Sequence, residues 1–161
     1  MRNAADRKGL WRAVARGDVD IVASDHSPAP PEMKQDANFF RVWGGVAGVQ
    51  STLAVLMEFA QLPRIAELMG TSPAARFGLA RKGRIAIGCD ADFALVDLRA
   101  GYTVTRESLF QRHGLSPYLG AGFRGVVRRT VLRGETVFAD GKMTEQAQGR
   151  MIAHAQPRIH T

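Results

Sequence analysis

Apolar and polar positions follow two different patterns along this chain, and the change comes after Arg81. In the first part the spacing is mostly helical. Residues 7–16 place Leu10, Trp11 and Val14 on one face, an amphipathic helix stopped by Gly17 in the manner of a C′ glycine. Residues 46–60 give the strongest helical pattern, with Val49, Leu53, Leu56, Met57 and Ala60 on one side. Pro63 opens a further helix that runs through Met69 and is closed by Gly70. Thr71-Ser72-Pro73 starts a short helix over residues 74–79, with a capping hydroxyl and proline at its first position. Between the first two helices, Val19 to Ala23 is a short run rich in β-branched residues and reads as a strand buried on both faces. A helix feeding a buried strand is half of a βαβ repeat.

Beyond Arg81 the pattern changes to strands. Residues 83–87 and 93–98 read as a pair around the Gly88-Cys89-Asp90-Ala91-Asp92 turn. Residues 101–122 read as a long irregular connection. Residues 125–131 and 136–138 form a hairpin with Arg133-Gly134-Glu135 as its turn. After Gly141 periodicity is lost and the chain is expected to fray, leaving His154 and His160 in a solvated tail.

Composition adds bounds. The chain has 161 residues, 45% hydrophobic and 23% charged, enough for one compact domain or two small pieces. No apolar run is long enough to span a membrane, and the residues after Met1 lack a signal peptide's apolar core. A single cysteine, Cys89, excludes an internal disulfide and a cysteine-built zinc site, which suits a cytoplasmic location. The net charge of +7 raises nucleic-acid binding. The arginines are dispersed, however, and the cluster of Arg128, Arg129 and Arg133 has no interleaved aromatics, so neither a nucleic-acid nor a membrane partner is expected.

The residues that suggest chemistry follow the buried run. Ser24-Asp25-His26-Ser27-Pro28 delivers a carboxylate and an imidazole where parallel α/β folds keep their active sites, at the carboxyl end of a strand. Taken alone, Asp25 could simply cap the next turn and His26 could be a solvated loop residue. Gly44-Gly45 lets backbone approach a ligand closely, or merely turns the chain before a helix. Asp90 and Asp92 look like a metal pair, but they are read as satisfying turn backbone, since no histidine lies near them in sequence.

The surroundings of Asp25 change its reading. The Ser24–Pro28 motif, Pro30-Pro31-Glu32-Met33-Lys34, and Trp43-Gly44-Gly45-Val46-Ala47-Gly48-Val49-Gln50 together resemble an allantoinase, a cyclic-amide hydrolase of the amidohydrolase superfamily. The stretch from Lys82 to Asp97, Ser116-Pro117-Tyr118-Leu119-Gly120, and the segment from Thr130 to Phe138 resemble the superfamily's small β domain. The resemblance implies an α/β fold: residues 1–82 as the C-terminal segment of a (β/α)₈ TIM barrel, residues 83–150 as part of a small β-sandwich domain, and residues 151–161 as a tail. A complete barrel needs eight strands and about 250 residues. The chain is therefore expected to be a truncated gene product or a piece of a longer protein, and Met1-Arg2-Asn3 resembles the middle of a Pro-Pro-Ile-Arg-Asn stretch of the family.

The resemblance also implies a mechanism. In the family, a His-x-His pair, a carboxylated lysine, two later histidines and one aspartate hold two divalent ions, here expected to be Zn²⁺. Only the aspartate has a counterpart, Asp25, implied as metal ligand and as the catalytic base that passes a proton to the leaving nitrogen. His26, Ser27, Gly44 and Gly45 are the candidate substrate-binding residues. The implied activity is hydrolysis of allantoin to allantoate in purine catabolism by a complete enzyme that is a homo-oligomer. Two alternatives stand beside it: another cyclic amidase (hydantoinase, dihydropyrimidinase or dihydroorotase), and a non-catalytic remnant or assembly module.

Overall fold

The computed structural model describes residues 3–145 and 149–152. His154 and His160 lie outside the described residues. The described chain is mixed: a front half of helices and extended segments, and a rear half built on one antiparallel sheet.

Helix α1 (Ala4–Arg16) starts ahead of its amphipathic stretch because Asn3 caps it, its side chain accepting from the Asp6 amide at 2.8 Å. Gly17, at φ 92, ends it as predicted, with the cap amides closing on Ala13 and Val14 carbonyls. Val14 is buried, and Trp11 stacks on Phe59 with ring centroids 4.2 Å apart.

The segment after α1 departs from the expected strand. Residues 19–23 are extended but join no ladder, and they are not buried on both faces: Val19, Ile21 and Val22 are half-buried, Asp20 and Ala23 exposed. The reason is a shortage of strand neighbours among the described residues. The Val22 amide donates to the Leu68 carbonyl, and the only parallel bridge among the described residues is His26 with Val46. Arg64 supplies the missing support, donating to the Val14 and Val19 carbonyls while pairing with Glu67 at 2.6 Å.

Helix α2 (Thr52–Met57) is shorter than its apolar pattern, because residues 46–48 are drawn into an extended path beside residues 24–27. Helix α3 (Leu62–Ala66) runs on through a widened π turn (Glu67–Thr71) into α4 (Ser72–Arg76). Two expectations fail here. Gly70 does not close a helix, and Thr71 does not cap one: Thr71 is itself helical, its hydroxyl donating to the Gly83 carbonyl at 2.8 Å. Pro73 explains the widening, since its ring cannot sit against the carbonyl four residues back in a regular α-helix.

The sheet has the order β1 (Phe93–Thr103), β2 (Gly122–Leu132), β3 (Glu135–Ala139), β4 (Lys142–Met143). The predicted hairpin is present, with a tighter turn: Arg133 and Gly134 have φ 50 and 86, the left-handed pair of a two-residue turn, and Glu135 already pairs with Leu132. Residues 83–87 form no strand, and Ile85 and Ile87 are fully solvent-facing. Residues 101–103 belong to β1 rather than to an irregular connection, and β4 adds a short strand where fraying was expected.

The two halves are joined through α2 and the 82–92 segment. Gly125 of β2 faces Met57 so closely that a Cβ there would lie 2.7 Å from Met57 Cε. Gln50 donates to the Ser108 carbonyl and accepts from the Phe110 amide, and Glu58 accepts from the Arg124 amide. Lys82 pairs with Asp90 at 2.9 Å and with Asp92, and Asp92 accepts from the Arg133 amide at 2.7 Å. Asp90 and Asp92 thus serve the junction, and more through side-chain ion pairs than through their own turn.

Candidate active site

The extended run breaks at Asp25, where φ is +44. Left-handed backbone is uncommon outside glycine, and aspartate is among the residues that tolerate it. The turn interrupts the alternation of a strand at the one carboxylate of the motif. Asp25 and His26 are both exposed, so the carboxylate and the imidazole stand open to solvent.

The segment is held against residues 45–48. The Ser27 amide donates to the Val46 carbonyl at 2.9 Å, and the Val49 amide donates to His26 Nδ1 at 3.3 Å. With Nδ1 accepting, a neutral His26 ring carries its proton on Nε2, a donor free to meet a carbonyl. Two glycines make the approach possible. A Cβ on Gly45 would collide with the Ser27 side chain and lie 2.6 Å from the Ser27 carbonyl oxygen, and one on Gly48 would lie 2.9 Å from that of Ser24. Gly45 therefore has a packing reason that the sequence did not reveal: its backbone approaches Ser27. Gly44 has no neighbour within 4 Å of a Cβ position.

The fold therefore brings together His26, Ser27 and Gly45 directly, with Asp25 and Gly44 next to them in the chain. Ser27 and Gly45 also border a half-open cleft of about 280 Å³, closed on its far side by Leu115, Ser116 and Pro117. This cleft brings residues 115–117 to the site, a placement that no spacing in the sequence signals. Lys34 was visible in the sequence as the end of the Pro30–Lys34 motif, with no contact assigned to it. In the structure its Nζ donates to the Trp43 carbonyl at 2.8 Å and to the Gly45 carbonyl.

The donor set does not fit a metal pair on its own. Among the described residues no three His, Cys, Asp or Glu side chains converge. Asp25 and His26 supply one carboxylate and an imidazole already engaged at Nδ1, short of the three protein ligands of a catalytic zinc site.

Comparison with known proteins gives this arrangement a context. Curated allantoinases are similar along the chain: that of Solibacter usitatus is 48% identical, covering 100% of this chain and 36% of its own length. That of Deinococcus radiodurans is 47% identical over 94% of this chain and 35% of its own. The chain thus spans about a third of the length of the curated relatives it matches. Among solved structures, a D-hydantoinase (dihydropyrimidinase) from Thermus sp. superposes with a TM-score of 0.85 at 26% identity, over 89% of this chain and 33% of that one. An L-hydantoinase (dihydropyrimidinase) from Arthrobacter aurescens gives 0.83 at 28%, over 89% and 34%. The amidohydrolase family model matches residues 1–137, and the chain belongs to the amidohydrolase family.

Proposed function

We propose that this chain is the C-terminal portion of an allantoinase, a cyclic-amide hydrolase that opens the ring of allantoin to give allantoate. One observation carries the reading: curated allantoinases are 47–48% identical over nearly the whole chain, against 26–28% for the hydantoinase structures. The backbone likeness to hydantoinases supports the common fold, with residues 1–82 as barrel segment and residues 83–150 as part of the small β domain. It also keeps a hydantoinase or dihydropyrimidinase as the second reading.

In this reading Asp25 is the catalytic residue. Ring opening needs a group that accepts a proton from attacking water and returns it to the departing nitrogen. An exposed carboxylate on a left-handed turn can do both without disturbing a ladder. His26 offers Nε2–H, Ser27 its hydroxyl, and Gly44 and Gly45 their backbone to the carbonyl and N–H groups of the ring and ureido arm. A site that hydrogen-bonds such groups rejects analogues lacking them more strongly than an apolar pocket rejects a change of size. The family is metal-dependent in general, and two zinc ions remain part of the proposal, Asp25 giving one ligand and residues outside this chain the others. No helix among the described residues is long and apolar enough to cross a membrane. A homo-oligomeric cytoplasmic enzyme of purine catabolism acting on a small molecule, without a nucleic-acid or membrane partner, completes the proposal.

The test is a comparison of kcat/KM for allantoin, 5-phenylhydantoin and dihydroorotate, using a chimera in which this chain replaces the matching segment of the Solibacter usitatus allantoinase. Preference for allantoin is expected. Faster turnover of either competitor would move the chain to the second reading.

A further inference from the structure

Lys34 ends the short 3₁₀ turn Pro31–Lys34, and its half-buried side chain turns toward the glycine pair. Its ammonium donates to the carbonyls of Trp43 and Gly45, two residues apart, and the Trp43 amide donates back to the Met33 carbonyl at 2.8 Å. Among the described residues Lys34 has no carboxylate within ion-pair distance. A lysine that surrenders hydration for two neutral carbonyls orders those carbonyls. Here they flank Gly44, which has no neighbour within 4 Å of a Cβ position and whose backbone carries no side-chain restraint of its own. The Gly44 and Gly45 amide nitrogens have no hydrogen-bond partner among the described residues.

We infer that Lys34 is a positioning residue of the substrate site: it clamps the Trp43 and Gly45 carbonyls and so holds the Gly44–Gly45 amides as donors toward a small cyclic amide. The inference rests on the reading of that glycine pair as a substrate contact, and it narrows it. With the Gly45 carbonyl already engaged, the pair offers donors more than acceptors, which suits the carbonyl oxygens of an imide or ureide. Lys34 itself need not touch the substrate.

The experiment uses the same chimera with Lys34→Met and Lys34→Arg, reading steady-state kinetics with allantoin and hydrogen exchange of the Trp43 and Ser27 amides, which bond to Met33 and to Val46 at the two ends of the clamped stretch. Loss of charge-assisted hydrogen bonds predicts KM up roughly tenfold or more in Lys34→Met, with faster exchange at the Trp43 and Ser27 amides and not in the sheet. The turnover number should change by less than about threefold, as for lost uniform binding. Lys34→Arg should recover part of both effects. Unchanged exchange in Lys34→Met overturns the clamp, and accelerated exchange with unchanged KM overturns the role toward substrate. If the unsubstituted chimera does not hydrolyse allantoin, the proposed function fails separately. Exchange then still decides the clamp, accelerated exchange upholding it and unchanged exchange overturning it.

Discussion

At Gly45 and Gly83 a single methyl group separates a tight contact from a clash. Gly83 combines a φ of 78 with neighbours 2.5 Å from a Cβ position, Ala74 Cβ and the Gly70 carbonyl oxygen. Gly83→Ala should therefore lose about 2–3 kcal/mol of stability in urea denaturation, from left-handed backbone and overpacking together. At Gly45 the obstacle includes the Ser27 backbone, which cannot rotate away, so Gly45→Ala should open the 24–27 and 45–48 contact and raise KM in the chimera. Asp97 is the contrasting case. It accepts from the Arg99 and Ala100 amides and pairs with Arg128 in the sheet, away from Asp25. Asp97→Asn should leave turnover within a few-fold of the parent, and a larger loss would show that the sheet reaches the chemistry. The motif around Asp25 was visible in the sequence, but its left-handed turn was not. Gly45 was legible as a close-approach glycine, though the partner it approaches, Ser27, lies 18 positions away and only the fold reveals it.

At the scale of elements, the spacing gave α1 with its Gly17 stop and the β2–β3 hairpin, because both are settled by local chemistry. It failed where distant partners decide. Residues 46–48 have helical apolar spacing but are claimed by the 24–27 segment, and Gly70 sits inside a helix widened by Pro73. Likewise residues 83–87 alternate like a strand but find no partner among the described residues. The Lys82 junction gives a pH prediction. A hydrogen bond to Asp92, with Asp90 helping, raises the Lys82 pKa despite partial burial. The Asp90 carboxyl is held below its ordinary value of 3.8, first by Lys82 and then by Arg81. Burial pushes Asp92 upward, but the Lys82 hydrogen bond and the Arg133 amide more than offset it, so its pKa is lowered too. Depressed carboxylates stabilise the fold above their unfolded pKa and lose that contribution as pH falls through the folded value. The raised lysine contributes below its ordinary 10.5 and loses it as pH climbs past the folded pKa. Melting temperature should fall in acid below about pH 4 and again in strong alkali. Asp92→Asn should flatten the acid limb, and an unchanged limb would show that the Lys82 ion pairs do not govern acid stability.

The chain spans about a third of its relatives' length and leaves large apolar side chains exposed. Phe39, Phe40, Ile85 and Ile87 are more than 80% exposed, and β1 is a long strand at the edge of the sheet. The isolated 161-residue chain should therefore associate on concentration, hydrolyse no allantoin and hold zinc weakly, since no three candidate donors converge among the described residues. Tight stoichiometric zinc in soluble chain, measured by titration, would contradict that donor count. That the chain is short against the demands of a barrel was legible from its length. Which apolar side chains stand exposed was not, because exposure is a property of the folded whole. Whether Asp25 carries the proton is decided by allantoate release from the chimera carrying this chain, compared with the same chimera bearing Asp25→Asn. Turnover is expected in the first and a loss of about 100-fold or more in the second, with both folded, since a positioned general base contributes on that order. Turnover of Asp25→Asn within a few-fold of its parent would contradict that role.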